Sequence, residues 1–144
     1  FNMHNASALA GMAFTNASFG LVHALAHKIG GEFGVTHGLA NAILMPYIID
    51  FNRKFTDKYS IAERILGVKD IAEEIRKLNK TLGIPSTFKD CKEVDFNEKK
   101  FVEVFDRMSK NAFGDPCILT NPGKPTLEDV KRIYQASYYG LSLK

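Results

Sequence analysis

Apolar side chains recur at helical spacing along most of this chain and nowhere alternate over the length of a strand. Ile71, Ile75, Leu78 and Leu82 form an i, i+4, i+7, i+11 stripe. Phe101, Val104, Phe105, Met108 and Ala112 share one face of a second segment, and Leu127, Val130, Ile133, Tyr134 and Tyr138 one face of a third. Such a period gathers side chains on one side of an α-helix, and helices of this kind bury that side against one another. Asp70 with Glu73 and Thr126 with Asp129 have the spacing of N-terminal capping boxes. Gly67, Gly83-Ile84-Pro85 and Gly114-Asp115-Pro116 read as stops. A shorter helix over Lys58–Leu66 offers Ile61, Ile65 and Leu66, and residues 86–94 read as loop. The expected fold is all-α, a bundle of about six or seven helices.

The stretch Phe19–Pro46 carries the chemistry. It holds three of the four histidines, His23, His27 and His37. His23 and His27 stand four apart among Leu21, Val22, Ala24, Leu25, Ala26 and Ile29, so one helix face presents both imidazoles. Gly30-Gly31 and Gly34 should break that helix. His37 follows, with Thr36 as N-cap of a run that is apolar nearly all round to Phe51. A histidine there can point back at the preceding helix, and burial of the run would place the site at the heart of the domain. Taken alone, each histidine is commonly a core residue bonded to a carbonyl. Taken together, the spacing suggests a three-histidine zinc site with one open position, suited to metal-assisted hydrolysis, with Glu32 or Asp50 as the nearby carboxylate. A helical interaction module with structural histidines is the blander alternative.

Composition narrows the field. With 144 residues and a net charge of +3 spread along the chain, one domain with a real core is expected, and no basic patch argues for nucleic acid. No apolar run approaches a membrane span, and no signal peptide is visible. Two cysteines, Cys91 and Cys117, are no disulfide framework, which favours the reducing cytoplasm. The chain starts at Phe1 inside a helical stretch rich in Ala, Ser, Gly and Asn, whose small side chains would allow close approach to neighbours. That start reads as part of a longer protein. Phe14 is the large side chain in this stretch, suited to core packing.

The histidine segment resembles the signature of iron-containing, group III alcohol dehydrogenases, roughly G-x-x-H-x-x-A-H-x-x-G followed by P-H-G and an apolar helix ending near a proline. Here it reads Gly20-Leu21-Val22-His23-Ala24-Leu25-Ala26-His27-Lys28-Ile29-Gly30, then Thr36-His37-Gly38, then Pro46. Met3–Phe14, Asp115-Pro116-Cys117 and Thr120-Asn121-Pro122 extend the resemblance over nearly the whole chain, and the opening looks most like the alcohol dehydrogenase half of bifunctional aldehyde-alcohol dehydrogenases. Thr36 stands where the family commonly has Pro, and Gly123 where it has Arg after Asn-Pro.

The resemblance implies a C-terminal helical domain, here residues 1–144, of an enzyme interconverting a primary alcohol and an aldehyde. His23 and His37 are implied as ligands of Fe(II), or Zn(II) in its place. His27 is implied as a neighbour beside the nicotinamide of NAD or NADP, and Phe14 and Cys117 as pocket residues. The family's other two ligands form a D-x3-H pair in an N-terminal nucleotide-binding domain with a Gly-rich loop. No Asp here has a His four residues later, and Gly30-Gly31 follow no strand. The expected partners are therefore that N-terminal domain, a small alcohol or aldehyde, and further copies of the enzyme in a homo-oligomer. By this count of parts the chain alone should be inactive.

Overall fold

The computed structural model describes residues 1–143, apart from the side chains of residues 15 and 16. Lys144, the end of the expected domain, lies outside the described residues. Seven α-helices follow in order: α1 Asn2–Ala17, α2 Leu21–Phe33, α3 His37–Asn52, α4 Lys58–Leu66, α5 Ile71–Thr81, α6 Glu98–Phe113 and α7 Leu127–Tyr139. Short 3-10 turns occupy Arg53–Phe55 and Pro116–Thr120. The all-α expectation holds.

The centre of the bundle is α2 and α3, backed by α6 and α7. Leu25 and Ile29 of α2, Ile43, Leu44 and Ile48 of α3, Phe101 and Met108 of α6, and Ile133 of α7 are all buried in one apolar core. Each such side chain taken out of water contributes about 1.5–3 kcal/mol. The buried tyrosines spend their hydroxyls on main-chain acceptors: Tyr134 donates to the Leu25 carbonyl at 2.8 Å and Tyr138 to the Phe96 carbonyl at 2.9 Å. Asn52 at the end of α3 and Asn121 exchange two side-chain hydrogen bonds, at 2.9 and 2.8 Å, fastening the segment after the second 3-10 turn to the core. The α7 capping box forms as expected, Thr126 and Asp129 each bonding the other's backbone N–H.

Several local expectations are overturned. Gly30-Gly31 do not break α2, which runs through them to Phe33. Gly34, at φ +76°, ends the helix in the left-handed conformation. Thr36 occupies the N-cap of α3 but makes no cap bond with its side chain, because its hydroxyl and its N–H are both bonded to the Glu93 carboxylate. The stripe on α5 is only half used: Leu78 and Leu82 are exposed, and the residues buried from this helix are Ala72 and Asn79. Asn79 turns inward to donate to the Ala42 carbonyl at 2.8 Å. On α4, Ile61, Ile65 and Leu66 face outward while Glu63 is buried, held by Arg53 at 2.5 Å and by the Ile71 N–H at 2.8 Å. An ion pair at the α3–α4 corner thus turns α4 opposite to its apolar stripe. Helix α1, rich in small residues, is exposed at its described side chains, Gly11 being partly buried, and its Phe14 packs on Phe19.

Candidate metal centre

Helix α2 carries His23 and His27 on one face because they are one turn apart, and Gly34–Thr36 reverse the chain so that α3 begins beside them with His37 as its first residue. The three rings gather. The ring centres of His23 and His37 lie 5.2 Å apart, His27 and His37 5.5 Å, and His23 and His27 6.0 Å. Two imidazoles on one metal, with bonds of about 2.1 Å to each nitrogen, have ring centres roughly 5 Å apart at tetrahedral geometry. The cluster sits at the surface of the helical unit, not at its heart: His27 and His37 are exposed and His23 is partly buried. It opens to solvent because the apolar mass of α3 is buried further along, from Ala40 to Asn52.

Each ring has different surroundings. His23 Nδ1 is buried and has no hydrogen-bond partner. Burial, then the proximity of His37 and His27, push its pKa down, so its imidazole stays neutral with a lone pair free to coordinate. A buried nitrogen without a partner on a neutral ring suits a divalent metal. His37 Nε2 lies 2.8 Å from the Asn41 side-chain nitrogen, one turn further along α3, so this amide competes for that nitrogen. His27 is tied elsewhere: its Nδ1 lies 3.4 Å from Asp115 Oδ2. The three rings thus differ: His23 has a nitrogen without a partner, His37 is contacted by an amide, and His27 faces a carboxylate.

Phe14 and Cys117, far apart in sequence, both border the cluster. Phe14 packs on Phe19 at 4.8 Å between ring centres and reaches to 6.4 Å from His23, while Phe19 lies 4.4 Å from His23. Phe14 is 41 % exposed, so its role is not core packing. Cys117 stands in the 3-10 turn, where its N–H donates to Asp115 Oδ1 at 3.0 Å. Burial, then Asp115, push its thiol pKa up, so it is a protonated, weakly reactive thiol. Asp115 itself is pushed up by burial, but the Lys28 ammonium, the Cys117 N–H and thiol, and His27 outweigh that and hold it well below the usual carboxylate range. Sequence reasoning took Asp115 as part of a helix stop and of a matching motif, and gave neither it nor Lys28 a role at the site. The available signal was an Asp before Pro, which is the pattern of a turn N-cap whose carboxylate has capacity to spare.

The carboxylates needed by the hydrolytic alternative are engaged elsewhere. Glu32 accepts three bonds from Arg107, at 3.2, 3.0 and 2.8 Å, and Asp50 is paired with Arg76.

Comparison with known proteins fits this arrangement. The model of the Fe-containing alcohol dehydrogenase family, C-terminal part, matches residues 1–138. The chain belongs to this family. It is 40 % identical to the NADPH-dependent butanol dehydrogenase of Clostridium saccharobutylicum over 148 aligned positions, covering 96 % of this chain and 37 % of that protein. The aldehyde-alcohol dehydrogenase of Streptococcus pneumoniae serotype 4 is 34 % identical, over 96 % of this chain and 18 % of its own length, so the expected special likeness to the bifunctional type gives way to the butanol dehydrogenase. The iron-containing alcohol dehydrogenase of Thermococcus thioreducens superposes with a TM-score of 0.83 at 34 % identity, over 96 % of this chain and 36 % of that one. The chain therefore spans little more than a third of that butanol dehydrogenase, and of that solved structure. No helix among the described residues is long and apolar enough to cross a membrane.

Proposed function

We propose that this chain is the metal-holding part of an NAD(P)-dependent alcohol dehydrogenase acting on a small primary alcohol or its aldehyde. His23 and His37 supply two ligands to Fe(II) or Zn(II), and a preceding nucleotide-binding domain supplies the other ligands and the dinucleotide site. The observation that carries this reading is the buried, unpartnered Nδ1 of His23 on a ring 5.2 Å from His37. A bound metal supplies Lewis acidity at the substrate oxygen. Zn(II) generally binds such donors more tightly than Fe(II), so the metal found would follow supply. His27 borders the nicotinamide, and Phe14 and Phe19 beside His23, with Cys117 beside His27, orient the carbon end of the substrate and keep water from it. The whole enzyme is proposed to be cytoplasmic and homo-oligomeric.

Two imidazoles leave a first-row ion largely hydrated, so the chain alone should bind metal weakly and turn nothing over. The test is calorimetric titration of the purified chain with Zn(II), together with an assay of alcohol-dependent NAD(P) reduction. Weak binding that is abolished by His23→Ala or His37→Ala and kept by His27→Ala is the expected result. Tight stoichiometric metal that needs all three histidines, with hydrolytic activity, would overturn this reading in favour of the three-histidine alternative.

A further inference from the structure

Among the described residues one further group has metal-type donors: His27, Asp115 and Cys117, with ligand atoms all within 4.8 Å of one another. Its chemistry is not that of a metal site. Asp115 Oδ2 already takes the Lys28 ammonium at 2.8 Å and faces His27 Nδ1 at 3.4 Å, while Oδ1 accepts the Cys117 N–H at 3.0 Å. An ion here would have to displace the Lys28 ammonium from a buried carboxylate and deprotonate a thiol that resists it.

The arrangement is a hub. Asp115 is only 7 % exposed and joins α2, through two consecutive residues, to the turn that carries Cys117. An ionised carboxylate can only accept, so the ring nitrogen facing it must carry the hydrogen. A neutral imidazole has one such hydrogen, and the bond made by one nitrogen decides the state of the other. We propose that Asp115 is the positioning residue of His27: it fixes the imidazole as the Nδ1–H tautomer and leaves Nε2 as a bare acceptor on an accessible ring. The His27 side chain is 40 % exposed, so a ligand can reach it. Lys28 balances the carboxylate's charge at the same oxygen.

The use of this acceptor rests on the dehydrogenase reading above; the tautomer does not. In alcohol oxidation the C–H bond breaks with its electron pair going to the nicotinamide ring, the hydroxyl proton goes to a base, and the products are aldehyde, reduced nicotinamide and that proton. An Nε2 lone pair can accept a hydrogen bond, and that proton, from a substrate, water or sugar hydroxyl. The tautomer that dominates for free histidine in water, Nε2–H, could not.

The test is a long-range proton–nitrogen correlation spectrum of the chain labelled with 15N-histidine, metal-free and mildly alkaline, with the His27 signals assigned by their loss in His27→Gln. Expected is the Nδ1–H pattern for His27, unchanged in Lys28→Met, and an Nδ1–H share at least about fivefold lower in Asp115→Ala. Asp115→Ser, which keeps an oxygen for the Cys117 N–H but is too short for the ring, is expected to behave like the alanine variant and is read in its place should Asp115→Ala not fold. An Nε2–H pattern in the unmodified chain, or an Nδ1–H pattern that survives removal of the carboxylate, would overturn the proposal. Neither result depends on dehydrogenase activity, so the two readings fail separately.

Discussion

The hydroxyl of Tyr134 donates to the carbonyl of Leu25, a residue 109 positions earlier and midway between His23 and His27. The last helix is thereby bonded to the backbone of the helix that carries two of the three clustered histidines. Tyr134 is fully buried, so the bond has no competition from water.

Tyr134→Phe keeps the packing and removes this bond. A net loss of about 1 kcal/mol is expected, or roughly 3 °C in melting temperature for a chain of this size. Tyr134→Ala should cost about 3–5 kcal/mol through the cavity it leaves. Thermal melts followed by circular dichroism measure both.

A Cβ at Gly123 would collide with the Phe55 ring, lying 2.6 Å from its Cγ and 2.7 Å from its Cε2. Gly123→Ala must therefore push the Phe55 ring out of its seat, at a cost of about 1–2 kcal/mol. Phe55→Ala should remove the conflict, so the double variant should be more stable than the sum of the two single changes. Denaturant unfolding of the four proteins gives the coupling directly; simple additivity would show that the ring moves freely.

The pH dependence of the Asp115 contacts has a definite sign. A carboxyl held below its unfolded value contributes stability above that value, about 3.9, and loses it as pH falls through the folded one. Asp115→Asn should therefore cost roughly 2 kcal/mol at every pH above about 5. The difference from the unmodified chain should persist to more acid conditions than an ordinary carboxylate allows. Chemical denaturation across an acid series tests this, and a difference that vanished near the ordinary carboxylate pKa would contradict it.

Cys117 is partly buried with a raised thiol pKa, and Cys91 is packed in the core. Iodoacetamide should modify Cys117 first, yet more slowly than a free thiol, and leave Cys91 until the chain unfolds. Asp115→Ser should speed the reaction at Cys117, because the carboxylate that holds the thiol protonated is gone. Peptide mapping over time reads both rates.

The sequence made the helices of the core legible where most of their apolar stripe is buried. Phe101, Val104, Met108 and Ala112 on α6 and Val130, Ile133 and Tyr134 on α7 face inward as their spacing implies. It also placed His23, His27 and His37 together, since all three lie on adjacent turns of consecutive helices. The orientation of α4 was not legible, because a buried Glu63–Arg53 pair outweighs Ile61, Ile65 and Leu66, and that pair exists only once α3 and α4 meet. Asp115 was not legible as a partner of His27 for the same reason: 88 residues separate them, and no local pattern joins a turn cap to a helix so far away. The depth of the cluster was misjudged because the apolar run after His37 suggests burial from its first residue, whereas burial begins three residues later, at Ala40.

The two rings that face each other across α2 and α3 are separated by only 14 residues, and the link between their helices is three residues long. Closing so short a loop costs little chain entropy. On a ribosome, His23 and His37 can meet as soon as α3 emerges, long before α6 has been translated. Asp115 arrives only after another 78 residues. The order of synthesis thus separates two events that the finished fold shows together: the pair can form on a half-made chain, whereas the orientation of His27 is among the last features to be fixed.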